Sequence, residues 1–141
     1  MKFTDSTINN CSLIQFNRIH NRAGNITALN ELVDVRFKVK RVYYLYDVPG
    51  GEERGGHAHK KLKQLIIAAS GSFDIILDDG KQETIFHLNR PYFGLIIVPG
   101  IWREIKNFSS GSICLVLASE LYNAKDYIRN KSLFTKWKLK S

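Results

Sequence analysis

Apolar residues in this chain come in short segments interrupted by turn signals, and from residue 11 to residue 119 no stretch sustains a helical period. Strands are expected at Val39–Asp47, Gln64–Ser70, Phe73–Leu77, Glu83–Leu88, Leu95–Val98 and Ile113–Ala118. Gly71-Ser72 separates two of these. Asp78-Asp79-Gly80 is a hairpin signal, because Asp and Gly tolerate the positive φ of tight turns. Leu65-Ile66-Ile67 and Leu95-Ile96-Ile97-Val98 are apolar on both faces, as in strands covered by a second sheet or a second subunit. The pattern predicts an all-β, antiparallel sandwich or small barrel.

After Ser119 the spacing changes. Leu121, Tyr122, Tyr127 and Ile128, then Leu133, Phe134 and Trp137, predict a short C-terminal helical region over about residues 121–138, packed on the barrel, with Tyr122 and Tyr127 as its docking contacts. The first ten residues are polar and are expected to be poorly ordered. No internal repeat and no Pro/Gly/Ser linker interrupts the chain, so residues 1–141 read as a single domain, with a barrel over about 11–119.

Composition adds one constraint. With 21 Lys+Arg against 13 Asp+Glu the formal charge is +8, which favours an anionic partner: nucleic acid, an acidic membrane surface or a phosphorylated small molecule. The lysine groups at Lys60, Lys61 and Lys63 and at Lys136, Lys138 and Lys140 read as solvated surface. No strictly apolar run, Leu65 to Ala69 included, comes near the roughly 20 residues that span a bilayer, and the N-terminus lacks the apolar stretch of a signal peptide. Cys11 and Cys114 lie far apart among apolar neighbours and read as buried thiols, so a cytoplasmic setting is expected.

The chemistry-bearing stretch is Gly51-Glu52-Glu53-Arg54-Gly55-Gly56-His57-Ala58-His59, followed by Gln64 and Gly71. On an extended strand residues two apart share a face, so His57 and His59 project into one space. The spacing resembles the first cupin motif, with Gln64 in place of its acidic ligand. Gly94, Pro99 and Asn107 resemble the second motif, with Arg103 at its histidine position. A metal-binding cupin supplies roughly three His and one carboxylate. Here a neutral amide and a permanent cation replace two of the four, so the site is expected to work without a metal or any other cofactor. Two imidazoles flanked by Arg54 and Arg103 suit acid–base chemistry on a carbon acid, the alternative being a pair of structural histidines.

Several further stretches, in order, resemble the WxcM-like nucleotide-sugar 3,4-ketoisomerases: Arg22-Ala23-Gly24-Asn25-Ile26-Thr27, Phe37 through Tyr44, Arg54 through Lys60, Leu88-Asn89-Arg90-Pro91, Pro99 through Glu104, Leu117 through Tyr122 and Asp126-Tyr127-Ile128-Arg129. The resemblance implies a cupin (RmlC-like) jelly roll. It also implies conversion of dTDP-4-keto-6-deoxy-D-glucose to a 3-keto sugar through an enediol, in deoxyaminosugar and surface polysaccharide biosynthesis. By that pattern His57 or His59 is the proton-shuttling base and Tyr43 the hydroxyl beside the reacting oxygens. Arg41 and Arg54 are assigned to the substrate's anionic part, and Trp102 and Arg103 to substrate binding. Family members form homodimers with exchanged N-terminal strands, and the same is expected here. Ala23 departs from the family pattern at a position near the sugar. Three alternatives remain: a non-catalytic nucleotide-sugar-binding cupin, a nucleic-acid-binding barrel, against which no binding signature is found, and a metal-dependent cupin enzyme.

Overall fold

A computed structural model describes residues 2–140 of the chain. Ten strands form two five-stranded sheets that face each other. In chain order they are β1 (Ser12–Gln15), β2 (Arg41–Leu45), β3 (Arg54–His59), β4 (Gln64–Ser70), β5 (Phe73–Asp78), β6 (Glu83–Leu88), β7 (Phe93–Ile97), β8 (Trp102–Lys106), β9 (Ile113–Ala118) and β10 (Tyr127–Ile128). One sheet runs β1-β7-β4-β9-β2 and the other β10-β3-β8-β5-β6, with all pairs antiparallel. This is the double-sheet barrel of a cupin, and β4, β6 and β9 keep the bounds read from the sequence.

Apolar side chains fill two main layers. Ile66, Ala68, Phe73, Ile75, Leu77, Leu95, Ile97, Cys114 and Val116 form the interior between the sheets. The outer face of the β4–β7–β9 sheet carries Leu65, Ile67, Ile96 and Leu117, covered by Phe16, Val35 and Phe37 from the long segment between β1 and β2. That covering explains why β4 and β7 are apolar on both faces. Both cysteines are free and buried, and burial pushes the Cys114 thiol up to about 12.

Two sequence expectations are corrected. The C-terminal region is helical only over α1 (Lys131–Lys138), where the Asn130 side chain caps the first turn by accepting from the backbone N–H groups of Ser132 and Leu133. Residues 124–126 form a single 3₁₀ turn, and Tyr127–Ile128 joins the sheet as β10, pairing with Ala58 and His59. Tyr122 and Tyr127 are five apart, which does not place two residues on one helix face. The segment around Ser6 and Ile8 is also pinned rather than loose. Ser6 donates to the Pro99 carbonyl at 2.8 Å, Ile8 N–H donates to Asp79 at 3.0 Å, and Lys138 Nζ donates to the carbonyls of Ser6 and Gly100 at 2.6 and 2.9 Å.

Candidate active site

Alternation on β2 turns Arg41, Tyr43 and Leu45 inward and leaves Val42 and Tyr44 exposed. The inward set meets β3, β4, β8 and β10 around a cavity of about 510 Å³ between the two sheets. Its wall holds Arg41, Tyr43, Arg54, His57, Gln64 and Arg103, together with Glu53, Tyr127 and Arg129. A bulge between Gly55 and His57 shifts β3 against β8. Gly55, at φ 86°, lies so close to β8 that a Cβ would stand 3.1 Å from the Arg103 carbonyl oxygen. After the bulge, His57 sits opposite Arg103.

His57 and His59 do share a face, their rings meeting edge to face at 4.8 Å between centroids. Their environments differ. His57 lines the cavity, whereas His59 is fully buried behind it, 4.3 Å from the Tyr127 ring centroid and with Nδ1 3.2 Å from Asp126 Oδ2. The Asp126 carboxylate also accepts the N–H groups of Lys61 and Leu62, so it acts as an acceptor throughout and fixes the His59 proton on Nδ1. The basic Nε2 is left without a partner. Burial, reinforced by the Arg103 guanidinium, lowers both histidines: His57 falls from 6.5 to about 3, and His59 falls further. Both imidazoles are therefore neutral near pH 7, the state a proton-abstracting base requires.

Arg103 is itself only 1% exposed. Burial lowers it to about 10, so it stays charged, with Nη1 on Gln64 Oε1 at 2.6 Å and Nη2 on the Ile101 carbonyl at 2.9 Å. Gln64 Nε2 donates in turn to the Tyr43 hydroxyl at 2.8 Å. Desolvation raises the Tyr43 phenol, which keeps its proton. Among the described residues, the buried side-chain nitrogens and oxygens lacking a hydrogen-bond partner are Arg41 Nε and Nη2, His57 Nε2, His59 Nε2 and Arg103 Nε. All five belong to this cluster. Unpaired buried polar atoms are rare and costly in folded proteins, and their concentration around one cavity marks a binding site for a polar, anionic molecule.

Trp102 does not join the site. It precedes Arg103 on β8, and neighbours on a strand face opposite ways, so Arg103 turns inward while Trp102 packs outward against Phe134 of α1 and donates to Glu104 at 3.0 Å. Ala23 is not part of the cavity wall either. Asp126, Tyr127 and Arg129 belong to the site and are not among the residues expected from the sequence. They stand in one stretch, Asp126-Tyr127-Ile128-Arg129, which carries part of the family resemblance and whose aromatic spacing predicts a tail helix.

Comparison with known proteins decides the family. Residues 9–139 match the family model described as "FdtA: WxcM-like, C-terminal". The chain belongs to this family. This WxcM-like protein is 42% identical over 125 residues to the TDP-4-oxo-6-deoxy-alpha-D-glucose-3,4-oxoisomerase of Aneurinibacillus thermoaerophilus, covering 89% of this chain and 90% of that one. It is 47% identical to the crystal structure of WlaRB, a TDP-quinovose 3,4-ketoisomerase from Campylobacter jejuni, with a TM-score of 0.86 over 90% of this chain and 98% of the other. QdtA, a sugar 3,4-ketoisomerase from Thermoanaerobacterium thermosaccharolyticum solved in complex with TDP, superposes with a TM-score of 0.92 at 41% identity, over 95% and 98% of the two chains. No helix of this WxcM-like protein's described residues is long and apolar enough to cross a membrane.

Proposed function

We propose that this protein is a sugar-nucleotide 3,4-ketoisomerase that converts TDP-4-keto-6-deoxyglucose to a TDP-3-keto-6-deoxyhexose for deoxyaminosugar biosynthesis. The observation that carries this reading is a single cavity wall that holds a neutral His57, the Tyr43 hydroxyl and several guanidinium groups. The isomerisation breaks the C3–H and O3–H bonds and forms C4–H and O4–H, so one group must take and return a carbon-bound proton while another steadies the oxygen that gains charge. His57 takes the C3 proton through Nε2 and returns it to C4. The Tyr43 O–H donates to the enediolate oxygen. His59, held by Asp126, orders the ring of His57 from behind.

Arg41, with two unpaired buried nitrogens, binds the diphosphate, and Arg54 and Arg129 on the same wall assist it. Metal-free chemistry follows from Arg103, whose fixed charge holds Gln64 in the place where a cupin's acidic ligand would stand and opposes a divalent cation there. We also propose a homodimer. The exposed face of β2, with Val42 at 56% and Tyr44 at 58%, and the exposed Ile19 and Ile26 of the 17–30 segment offer apolar surface for a second copy. Segment exchange between copies would pass through this N-terminal region.

The test is product analysis by NMR after incubation with TDP-4-keto-6-deoxyglucose. Appearance of a 3-keto sugar supports the reading. Tight binding of the sugar nucleotide with no turnover selects the non-catalytic alternative.

A further inference from the structure

Gln64 is buried at 1% exposure at the start of β4, and nothing in the acid–base scheme above uses it directly. Its two polar ends are nevertheless committed. Oε1 accepts from Arg103 Nη1 at 2.6 Å, and Nε2 donates to the Tyr43 hydroxyl at 2.8 Å. The orientation of this amide is dictated by chemistry, because a guanidinium has five donors and no acceptor, so only the carbonyl end of Gln64 can face it. The amide end then necessarily meets Tyr43.

That donation has a directional consequence. A phenol oxygen has one proton and lone pairs to accept with. Once Gln64 donates to the oxygen, the Tyr43 proton cannot lie along the same line and is left for an acceptor elsewhere. Tyr43 lines the cavity, and Gln64 is its sole side-chain hydrogen-bond partner among the described residues. The direction left open is the cavity itself.

We propose that Gln64 is a positioning residue: locked by Arg103, it aims the Tyr43 proton into the cavity, where the enediolate oxygen forms. This rests on the ketoisomerase reading and adds to it a reason for an amide at this position. A carboxylate here would accept the Tyr43 proton itself and turn it away from the substrate. Burial keeps the phenol protonated, which preserves it as a donor. A purely structural Gln64 would serve only to fill space and to satisfy Arg103, and a glutamate of nearly the same shape would do both as well or better.

Gln64→Glu separates these roles. Next to the Arg103 guanidinium the new carboxylate stays ionised and keeps that contact, but the polarity toward Tyr43 reverses. The expected result is a kcat lower by about 100-fold, the scale for losing one aimed donor at a developing oxyanion, with KM for TDP-4-keto-6-deoxyglucose within about threefold of the wild type. In a Tyr43→Phe background the same substitution is expected to cost almost nothing further, because the residue acts through the hydroxyl that is gone. Wild-type kcat in Gln64→Glu, or a full additional loss in the double variant, overturns the proposal. If Gln64→Glu fails to fold, as judged by loss of a cooperative thermal melt, Gln64→Met, of similar length and without an N–H donor, replaces it; Met also releases Arg103, so the refuting result is then a wild-type kcat in Gln64→Met. Wild-type protein that binds the sugar nucleotide without turning it over refutes the ketoisomerase reading and Gln64's role with it, whereas an active wild type with an equally active Gln64→Glu refutes Gln64's role alone.

Discussion

Asp126 Oδ2 stands 3.2 Å from His59 Nδ1, joining a turn that follows the barrel to the second histidine of the His-x-His pair. The same carboxylate caps the backbone of Lys61 and Leu62, so one side chain fixes both the loop after β3 and the tautomer of His59.

Replacing Asp126 with Asn removes the charge and allows the amide to present N–H to His59, favouring the other tautomer. The expected outcome is a kcat reduced by about tenfold or more with TDP affinity nearly unchanged, and a stability loss of about 1–2 kcal/mol from the weakened loop hydrogen bonds. Steady-state kinetics beside thermal melts check both.

Acid sensitivity follows from the two lowered imidazoles. Between the ordinary 6.5 and about 3 the unfolded chain takes up a proton at His57 that the folded chain excludes, and His59 behaves likewise. Stability contributed by these groups is therefore present above about pH 6.5 and is lost as pH falls, by up to about 1.4 kcal/mol per pH unit for each imidazole. Urea melts at pH 7.5 and pH 5 are expected to show the lower midpoint at pH 5. Substituting Asn at both histidines is expected to reduce that difference.

Arg41→Ala is expected to weaken TDP binding by about tenfold to a hundredfold, the range for losing charge-assisted hydrogen bonds to phosphate. Calorimetric titration with TDP measures it, and Arg41→Lys is expected to recover only part, because an ammonium cannot supply the fork of a guanidinium.

Trp102→Phe tests the correction on β8. The indole lies under α1 with Phe134, outside the cavity, so kcat and KM are expected to match the wild type while the melting temperature falls with loss of the Glu104 hydrogen bond. A KM change of about tenfold would return Trp102 to the site.

The barrel was legible because its strands are short, bounded by turns and, in β4 and β7, apolar on both faces, a pattern that a helix cannot use at this length. The histidine pair was legible from spacing alone. Trp102 and Arg103 could not both enter one cavity, since adjacent strand residues face opposite ways, and only the observed register tells which one turns inward. Asp126, Tyr127 and Arg129 were hidden for a different reason. Their place is set by pairing of β10 with β3, a contact between residues far apart in sequence that no local periodicity encodes. Gln64 looked like a lost metal ligand, and its bonds to Arg103 and Tyr43 became visible only with the three strands assembled.

The proposed transfer of the carbon-bound proton at C3 rests with His57. It is tested most directly by following deuterium from heavy water into the sugar ring of TDP-4-keto-6-deoxyglucose by NMR, with wild-type protein and with His57→Asn. Wild-type protein is expected to exchange ring protons and form the 3-keto product, and His57→Asn to bind the sugar nucleotide without exchange. Exchange by His57→Asn at the wild-type rate would contradict the account.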